Sequence, residues 1–423
     1  MIKHSSRLWS LTTFAVLVAF LASLGATQPA VARPIHDTAA APQAAAQRLA
    51  ASQSSNNSIL AEYKQGKLVS YVEPSEKLLY RIARDRLGPN ASQAQLEAEG
   101  QSYLKEWRKT AYHGPDPKAY QKLLRNEQRA LAANSTPAAM GLAVTGTLRL
   151  LTIAVEFNGT DTAANFSHPV SVNDRTCITD TVTFTGPLHN QIPPPGPRDN
   201  NSFWINNFDR SYYEKLVFST TGITERVRLD LTDPEDGKPG IDISGGSMRN
   251  YYNEVSGGRV QFDGGPKGVI AWVQVPHSEG YYGATACING VPNRVQSGDG
   301  LPQNPRDEAQ LLVDAVDAIN ASDPNFPWAD YDTNGDGVID HVVIFHAGAD
   351  KAGGGGAQTY HAIWSHRGNV DPAQGGYVAD DRGTPSPSDD IKLNGYAMQS
   401  EDAALGVLVH EFGHDLGHPD LYD

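Results

Sequence analysis

The sequence predicts a mixed α/β (α+β) domain, a mixed sheet covered by helices, preceded by a small helical unit. Three observations carry that prediction. Residues 148–157 (LRLLTIAVEF) form an apolar, β-branched run of the kind a buried strand requires. Residues 306–321 place Ala309, Leu312, Val313, Val316 and Ile319 on one helical face. Strand-like and helix-like stretches then alternate to the end of the chain, the pattern of layered α/β architectures.

In chain order, residues 1–32 read as an export signal. Lys3 and Arg7 give a positive start, residues 8–24 are mostly apolar, and Ala30, Val31 and Ala32 form an A-x-A cleavage site before Arg33. A membrane anchor is the alternative. The apolar core is short for a bilayer-spanning helix, and no later segment is apolar enough to span. The expected location is therefore extracellular, with no stable membrane anchor. Residues 33–60, rich in Ala, Gln, Ser and Asn, show no core-forming pattern. Leu78, Leu79, Ile82 and Leu87 then recur at helical spacing. Ser92 and Gln95 are spaced as a capping box ahead of Leu96, Tyr103, Leu104 and Trp107, and Tyr120, Leu123 and Leu124 suggest a third helix. Residues 132–139 (AANSTPAA) read as a linker open to proteolytic nicking.

The expected organisation is a signal over 1–32, a segment over 33–140 that is partly disordered and then helical, and an α/β domain over 141–423. Within that domain, loops rich in Pro, Gly and Asn follow residue 157, notably 192–201. Residues 260–262, 269–275 and 341–345 read as strands and 403–415 as a last helix. The 423 residues suit two or more folded units. A formal charge of -14 argues against nucleic acid as a partner, because phosphate binding needs clustered Lys and Arg. The two cysteines, Cys177 and Cys287, suggest one disulfide in an exported chain, with two buried thiols as the alternative.

The most informative residues are 410–420, HEFGHDLGHPD. His410 and His414 are four apart, so on a helix both imidazoles leave the same face and can hold one Zn2+. Glu411, beside the first of them, can reach a water on the metal without being a ligand. The preceding apolar residues 403–409 make the helix buried and dry, which strengthens the electrostatics of such a site. Gly417 can end the helix in a left-handed conformation, after which Asp420 can supply a third, oxygen ligand. His418 is the rival third ligand, and would require the helix to continue past Gly417 and Pro419.

A second motif, residues 330–340 (DYDTNGDGVID), alternates Asp332, Asn334 and Asp336 around a glycine turn, with the Val338 carbonyl and Asp340 following. Alternating oxygens around such a turn match a Ca2+ loop. The twelfth position counted from Asp332 is Val343, so the loop is no full EF-hand; a solvated turn is the alternative. His341, His346, His361 and His366 read as hydrogen-bonded structural residues. Tyr251, Tyr252, Trp272, Tyr281 and Tyr282 read as core or cleft wall.

With these residues in view, the chain resembles the immune inhibitor A family of secreted bacterial zinc metallopeptidases over residues 148–423. The most specific part is HEFGHDLGHPDLYD at 410–423. NYYNEVSGGRV (250–260), GYYG (280–283), DTNGDGVIDHVVIFHAG (332–348) and IWSHR (363–367) support it. The resemblance implies a zincin, metzincin-like fold, a helical pro-segment removed on activation, and structural Ca2+. It implies His410, His414 and Asp420 as zinc ligands and Glu411 as general base. Two features depart from it. His418 stands where an apolar residue is expected, and the chain ends three residues past Asp420, with no Met after it to form the turn under a metzincin site. The chain is therefore expected to be a fragment, inactive as it stands.

The expected function is that of a secreted zinc-dependent endopeptidase acting on proteins or peptides, with one catalytic Zn2+ and structural Ca2+. The rival is a secreted calcium-binding or adhesive module with a vestigial peptidase site, against which the intact Glu411 counts. Residues 33–140 hold no cysteine, so any latency they impose is steric or uses an oxygen or nitrogen ligand. Asp116, between two prolines, is one candidate for such a ligand.

Overall fold

The computed structural model describes residues 70–110, 145–171, 176–292, 299–371, 375–383, 386–418 and 420. The export signal, the lead-in, the third helix at Tyr120, the linker and the Asp116 turn lie outside them. The described elements begin with β1 (Ser70–Tyr71), α1 (Glu76–Leu87) and α2 (Gln93–Thr110). Next come β2 (Gly146–Arg149), β3 (Leu151–Phe157), β4 (Thr160–Pro169), β5 (Cys177–Thr185) and α3 (Arg210–Phe218). β6 (Val227–Thr232), β7 (Pro239–Ile241), α4 (Met248–Val255), β8 (Val260–Asp263), β9 (Val269–Val275) and α5 (Glu279–Gly283) follow. The chain continues through β10 (Cys287–Ile288), β11 (Val291–Pro292), α6 (Gln310–Ser322), β12 (Val342–His346), β13 (His366–Asn369) and β14 (Tyr377–Asp380). It closes with β15 (Ile391–Leu393), β16 (Gly395–Ser400) and α7 (Leu405–Asp415).

The expected mixed α/β architecture is present. Six strands form one sheet in the order β1-β13-β16-β12-β3-β9. β9, β3, β12 and β16 are parallel, β13 runs antiparallel to β16, and β1 runs antiparallel to β13. Every residue of β3 is buried, because apolar clusters cover both faces of the sheet. One cluster gathers Ile153, Val155 and Phe157 with α6; the other gathers Ala154, Val343 and Phe345 with α3, α4 and α7.

Several expectations need correction. The run 148–157 is two strands. β2 pairs with β8 in a separate small sheet, and β3 begins after Leu150, whose N–H bonds to Asp263 O while that of Leu151 bonds to His341 O. Changing partners at one residue leaves no mark in an unbroken apolar run. The stretch after residue 157, expected to be loops, begins with the β4–β5 hairpin. Leu87, expected on the apolar face of its helix, is exposed. The amphipathic helix of 306–321 starts as a short 3-10 turn at Asp307–Ala309 and becomes α-helical at Gln310.

The helical unit is real over α1 and α2. Ser92 and Gln95 form the capping box: Ser92 N–H donates to Gln95 Oε1 at 2.9 Å and Gln95 N–H to Ser92 Oγ at 3.4 Å. Leu78, Leu79, Ile82, Leu104 and Trp107 pack together and onto Ala352, Trp364, Ala403 and Val407 of the α/β domain.

Cys177 and Cys287 are joined in a disulfide closing a separation of 110 residues. It ties β5 to the small β10–β11 hairpin. Replacing both cysteines with Ser is expected to cost roughly 2–5 kcal/mol, because a long unfolded loop is released. A urea midpoint equal to that of the parent would contradict this.

Candidate metal centre

α7 is held against the sheet by Leu408 and Phe412, both fully buried. Phe412 packs edge-on to Tyr252 of α4 and Phe262 of β8, with ring centroids 5.7 and 5.4 Å away. Tyr252 also donates its hydroxyl to Val409 O at 2.7 Å, and burial pushes its phenol far above the ordinary range. Tyr252, one of the aromatic residues read as core or cleft wall, therefore helps to anchor this helix. Phe412→Ala removes that wedge and is expected to cost about 3–5 kcal/mol, measurable as a lower denaturation midpoint.

The helix ends where Gly417 predicted. Gly417 has φ +88°, its N–H bonds to His414 O, and His418 N–H bonds to Gly413 O. This pair of bonds closes the helix in a Schellman turn. The turn carries the chain back so that Asp420 faces the helix. Asp420 Oδ1 lies 3.1 Å from His410 Nε2 and 3.1 Å from His414 Nε2, and the two Nε2 atoms are 3.1 Å apart.

Three ligand atoms at equal spacing suit a tetrahedral ion. Zinc bonds of about 2.0–2.1 Å place neighbouring ligand atoms about 3.3 Å apart. The donor set of two imidazoles and one carboxylate is the chemistry that zinc takes, so the residues fit the metal. His414 points its other nitrogen, Nδ1, at the carbonyl of His418, 2.8 Å away, which leaves Nε2 for the ion. His418 thus braces the site with its main chain. His414 is buried and His410 keeps 19% of its side chain exposed, so the site opens on the His410 side.

Electrostatics follow from burial. Burial opposes ionisation of Asp420, but hydrogen bonds from His410 and His414 hold its carboxyl far below the usual range. Burial is also the main cause pushing Glu411 well above the ordinary carboxylate range, and the Asp420 charge adds to it. Glu411 is fully buried, and among the described residues neither of its oxygens has a hydrogen-bond partner. The ligand atoms of His410, Glu411 and His414 lie within 4.8 Å of one another. The main-chain N–H groups of Val72 and Arg367 lie near the Glu411 carboxylate and partly offset its rise.

Val72 was not singled out by its sequence. Ser70 and Tyr71 pair with Arg367 and His366, and Val72 N–H continues the ladder to Ser365 O at 3.3 Å. Trp364 Nε1 donates to Val72 O at 2.8 Å. A segment preceding the α/β domain thus lies along its edge strand, beside Glu411. Asp415 was also missed. It accepts from His341 Nδ1 at 2.7 Å and approaches Arg367 at 3.6 Å, tying the metal end of α7 to the start of β12 and to β13. Its place next to His414 was the one available signal, and its partners lie far off in sequence.

The remaining candidates are elsewhere. His346 and His366 are buried and held neutral, their pKa values lowered to about 4 chiefly by burial. In the loop of Asp332, Asn334, Asp336, Val338 and Asp340, the side chains accept from the loop's own N–H groups. Asp332 Oδ2 takes Gly337 N–H at 2.8 Å, Asp336 Oδ1 takes Val338 N–H at 3.0 Å, and Asp340 Oδ2 takes Thr333 N–H at 2.8 Å. The loop's carboxylates are thus engaged by its own N–H groups, and the comparisons below give calcium no support.

A profile described as "Immune inhibitor A peptidase M6, catalytic domain" matches residues 145–423. Among curated proteins, Immune inhibitor A of Bacillus thuringiensis subsp. alesti is 32% identical over 246 residues, covering 56% of this chain and 31% of that protein. Pre-pro-metalloprotease PrtV of Vibrio cholerae serotype O1 (strain M66-2) is 34% identical over 246 residues, covering 53% of this chain and 23% of its own length. The chain thus matches less than a third of the length of these relatives.

Proposed function

Because the chain belongs to the immune inhibitor A peptidase M6 family, we propose that it is the metal-binding part of a secreted zinc endopeptidase with a zincin-type site. The observation that carries this reading is the convergence of His410 Nε2, His414 Nε2 and Asp420 Oδ1 at 3.1 Å beside the buried carboxylate of Glu411. When bound, Zn2+ supplies Lewis acidity to the scissile carbonyl and to the attacking water. His410, His414 and Asp420 hold it. The Glu411 carboxylate takes the proton of the attacking water and passes it to the leaving amine. Burial raises its pKa above the ordinary carboxylate range, the direction that makes a carboxylate a better proton acceptor. Phe412 and Tyr252 keep the helix, and so the two imidazoles, in place.

We also propose that residues 33–140 are a pro-segment. The position of Val72 beside Glu411, and of β1 on the edge strand, supports a steric block of the cleft. Export is part of the same proposal, resting on the signal over residues 1–32. Among the described residues no helix is long and apolar enough to cross a membrane.

The test is casein hydrolysis by the whole endopeptidase of which this chain is proposed to be part, after removal of residues 33–140, with and without a chelator, then with Zn2+ restored. Hydrolysis lost with the chelator and regained with Zn2+ is expected. No hydrolysis under any condition, with zinc bound, would favour the rival adhesive module.

A further inference from the structure

Val72 has both of its main-chain groups held by the α/β domain. Its N–H donates to Ser365 O at 3.3 Å, and its carbonyl accepts from Trp364 Nε1 at 2.8 Å. With Ser70 and Tyr71 paired to Arg367 and His366, these bonds make an extended, antiparallel addition to β13. None of them engages a side chain of the added strand, so other extended peptides can make them as well. In recognition by strand addition, main-chain bonds give affinity and pockets for alternate side chains give specificity.

An apolar patch of that kind lies under Val72. The Val72 side chain is buried in a cluster with Ala352, Trp364, Ala403 and Val407 of the α/β domain. Ala352 follows β12, Trp364 precedes β13, Ala403 precedes α7, and Val407 lies on α7. Val407 is four residues before Glu411, so it sits on the same face of the helix, about 6 Å along its axis. An extended chain covers that distance in about two residues. A side chain resting on Val407 thus belongs to a residue close to the bond that lies over Glu411.

Val72 does not cover the patch alone. Trp107 of α2 stacks on Trp364, with ring centroids 6.4 Å apart and planes 14° apart. Both covers belong to residues 33–140. Once they are gone, the face of an indole lies open between two alanines, whose small side chains leave room for more than a valine. The four domain residues carry no charge. Glu73, the charged neighbour of Val72, pairs with Arg108 inside the N-terminal segment, at 3.1 Å from Nη2. A ring laid on an indole gains more than its buried area alone supplies.

We propose that this patch is a specificity subsite of the endopeptidase, and that it takes a large apolar side chain, aromatic above all, from the substrate residue that replaces Val72. Trp364 is the specificity-determining residue. Its ring receives the side chain, and its Nε1 holds the carbonyl of the same residue. In the uncut chain Val72 and Trp107 together occupy that place. The inference rests on the endopeptidase reading and adds the class of substrate.

The test uses the whole endopeptidase freed of residues 33–140. Casein is digested and the cleavage sites are read by mass spectrometry. Phe, Tyr, Trp or Leu should be enriched at one position within about two residues of the cleaved bond. Peptides differing only at that position are then compared, and kcat/KM should favour Phe over Ala by about 10- to 200-fold. Val407→Phe fills the patch and should bring that ratio to about 1 or below, because a filled pocket rejects the larger side chain. Trp364→Phe keeps a ring and loses the N–H, so KM for the Phe peptide should rise about fivefold with kcat little changed. A flat cleavage profile under zinc-dependent hydrolysis would overturn the subsite and leave the endopeptidase reading standing. No hydrolysis with zinc bound would strike down both. A Phe-to-Ala ratio that Val407→Phe leaves unmoved also overturns the subsite. If Val407→Phe does not fold, Trp364→Phe decides, and an unchanged KM sinks the proposal.

Discussion

Glu411→Gln is expected to lower peptide hydrolysis by about 10²–10⁴-fold, the range for loss of a positioned general base, while one zinc per chain stays bound. The substitution keeps the shape of the side chain and removes its capacity to accept a proton. Glu411 is buried beside the three converging ligand atoms, and the role proposed for it is proton handling. Metal content by atomic absorption and casein turnover must therefore separate in this variant. Loss of zinc together with activity would make Glu411 a ligand and undo its assignment as base.

Opening the N-terminal segment is expected to have an effect of similar size. β1 and Val72 lie on the edge strand next to Glu411, and α1 and α2 anchor them through Trp107, stacked on Trp364 at 6.4 Å. If the open form is a minor state of 0.1–10%, removing residues 33–140 raises hydrolysis about 10- to 1000-fold. Val72→Pro in the uncut chain should move part of the way. Proline has no N–H for Ser365 O, so the strand loses its grip beside Glu411. An uncut chain that cleaves as fast as the cut one would end the idea of latency. A cut chain that fails to fold would make the segment a folding aid.

How much of this was legible depends on what each residue faces. β3 and β12 could be read because burial on both faces writes an unbroken apolar run. The α7 motif could be read because two ligands four apart and a helix-ending Gly417 are local facts. The β4–β5 hairpin could not, since it carries Thr, Asp and Asn on exposed positions and shifts register between Ala163 and Phe166. β13, His-Arg-Gly-Asn, has almost no strand propensity; it is a strand because β16 supplies its partners. The edge beside Glu411 was therefore invisible as an edge.

The central claim is that His410, His414 and Asp420 hold one zinc ion. The most direct measurement is an anomalous difference map from crystals of the purified protein, collected on either side of the zinc absorption edge. One peak about 2.0–2.1 Å from both imidazole Nε2 atoms and about 2.0–2.2 Å from an Asp420 oxygen is the predicted result. A zinc peak ligated by the His418 ring in place of Asp420, or no zinc peak at this site, would contradict it.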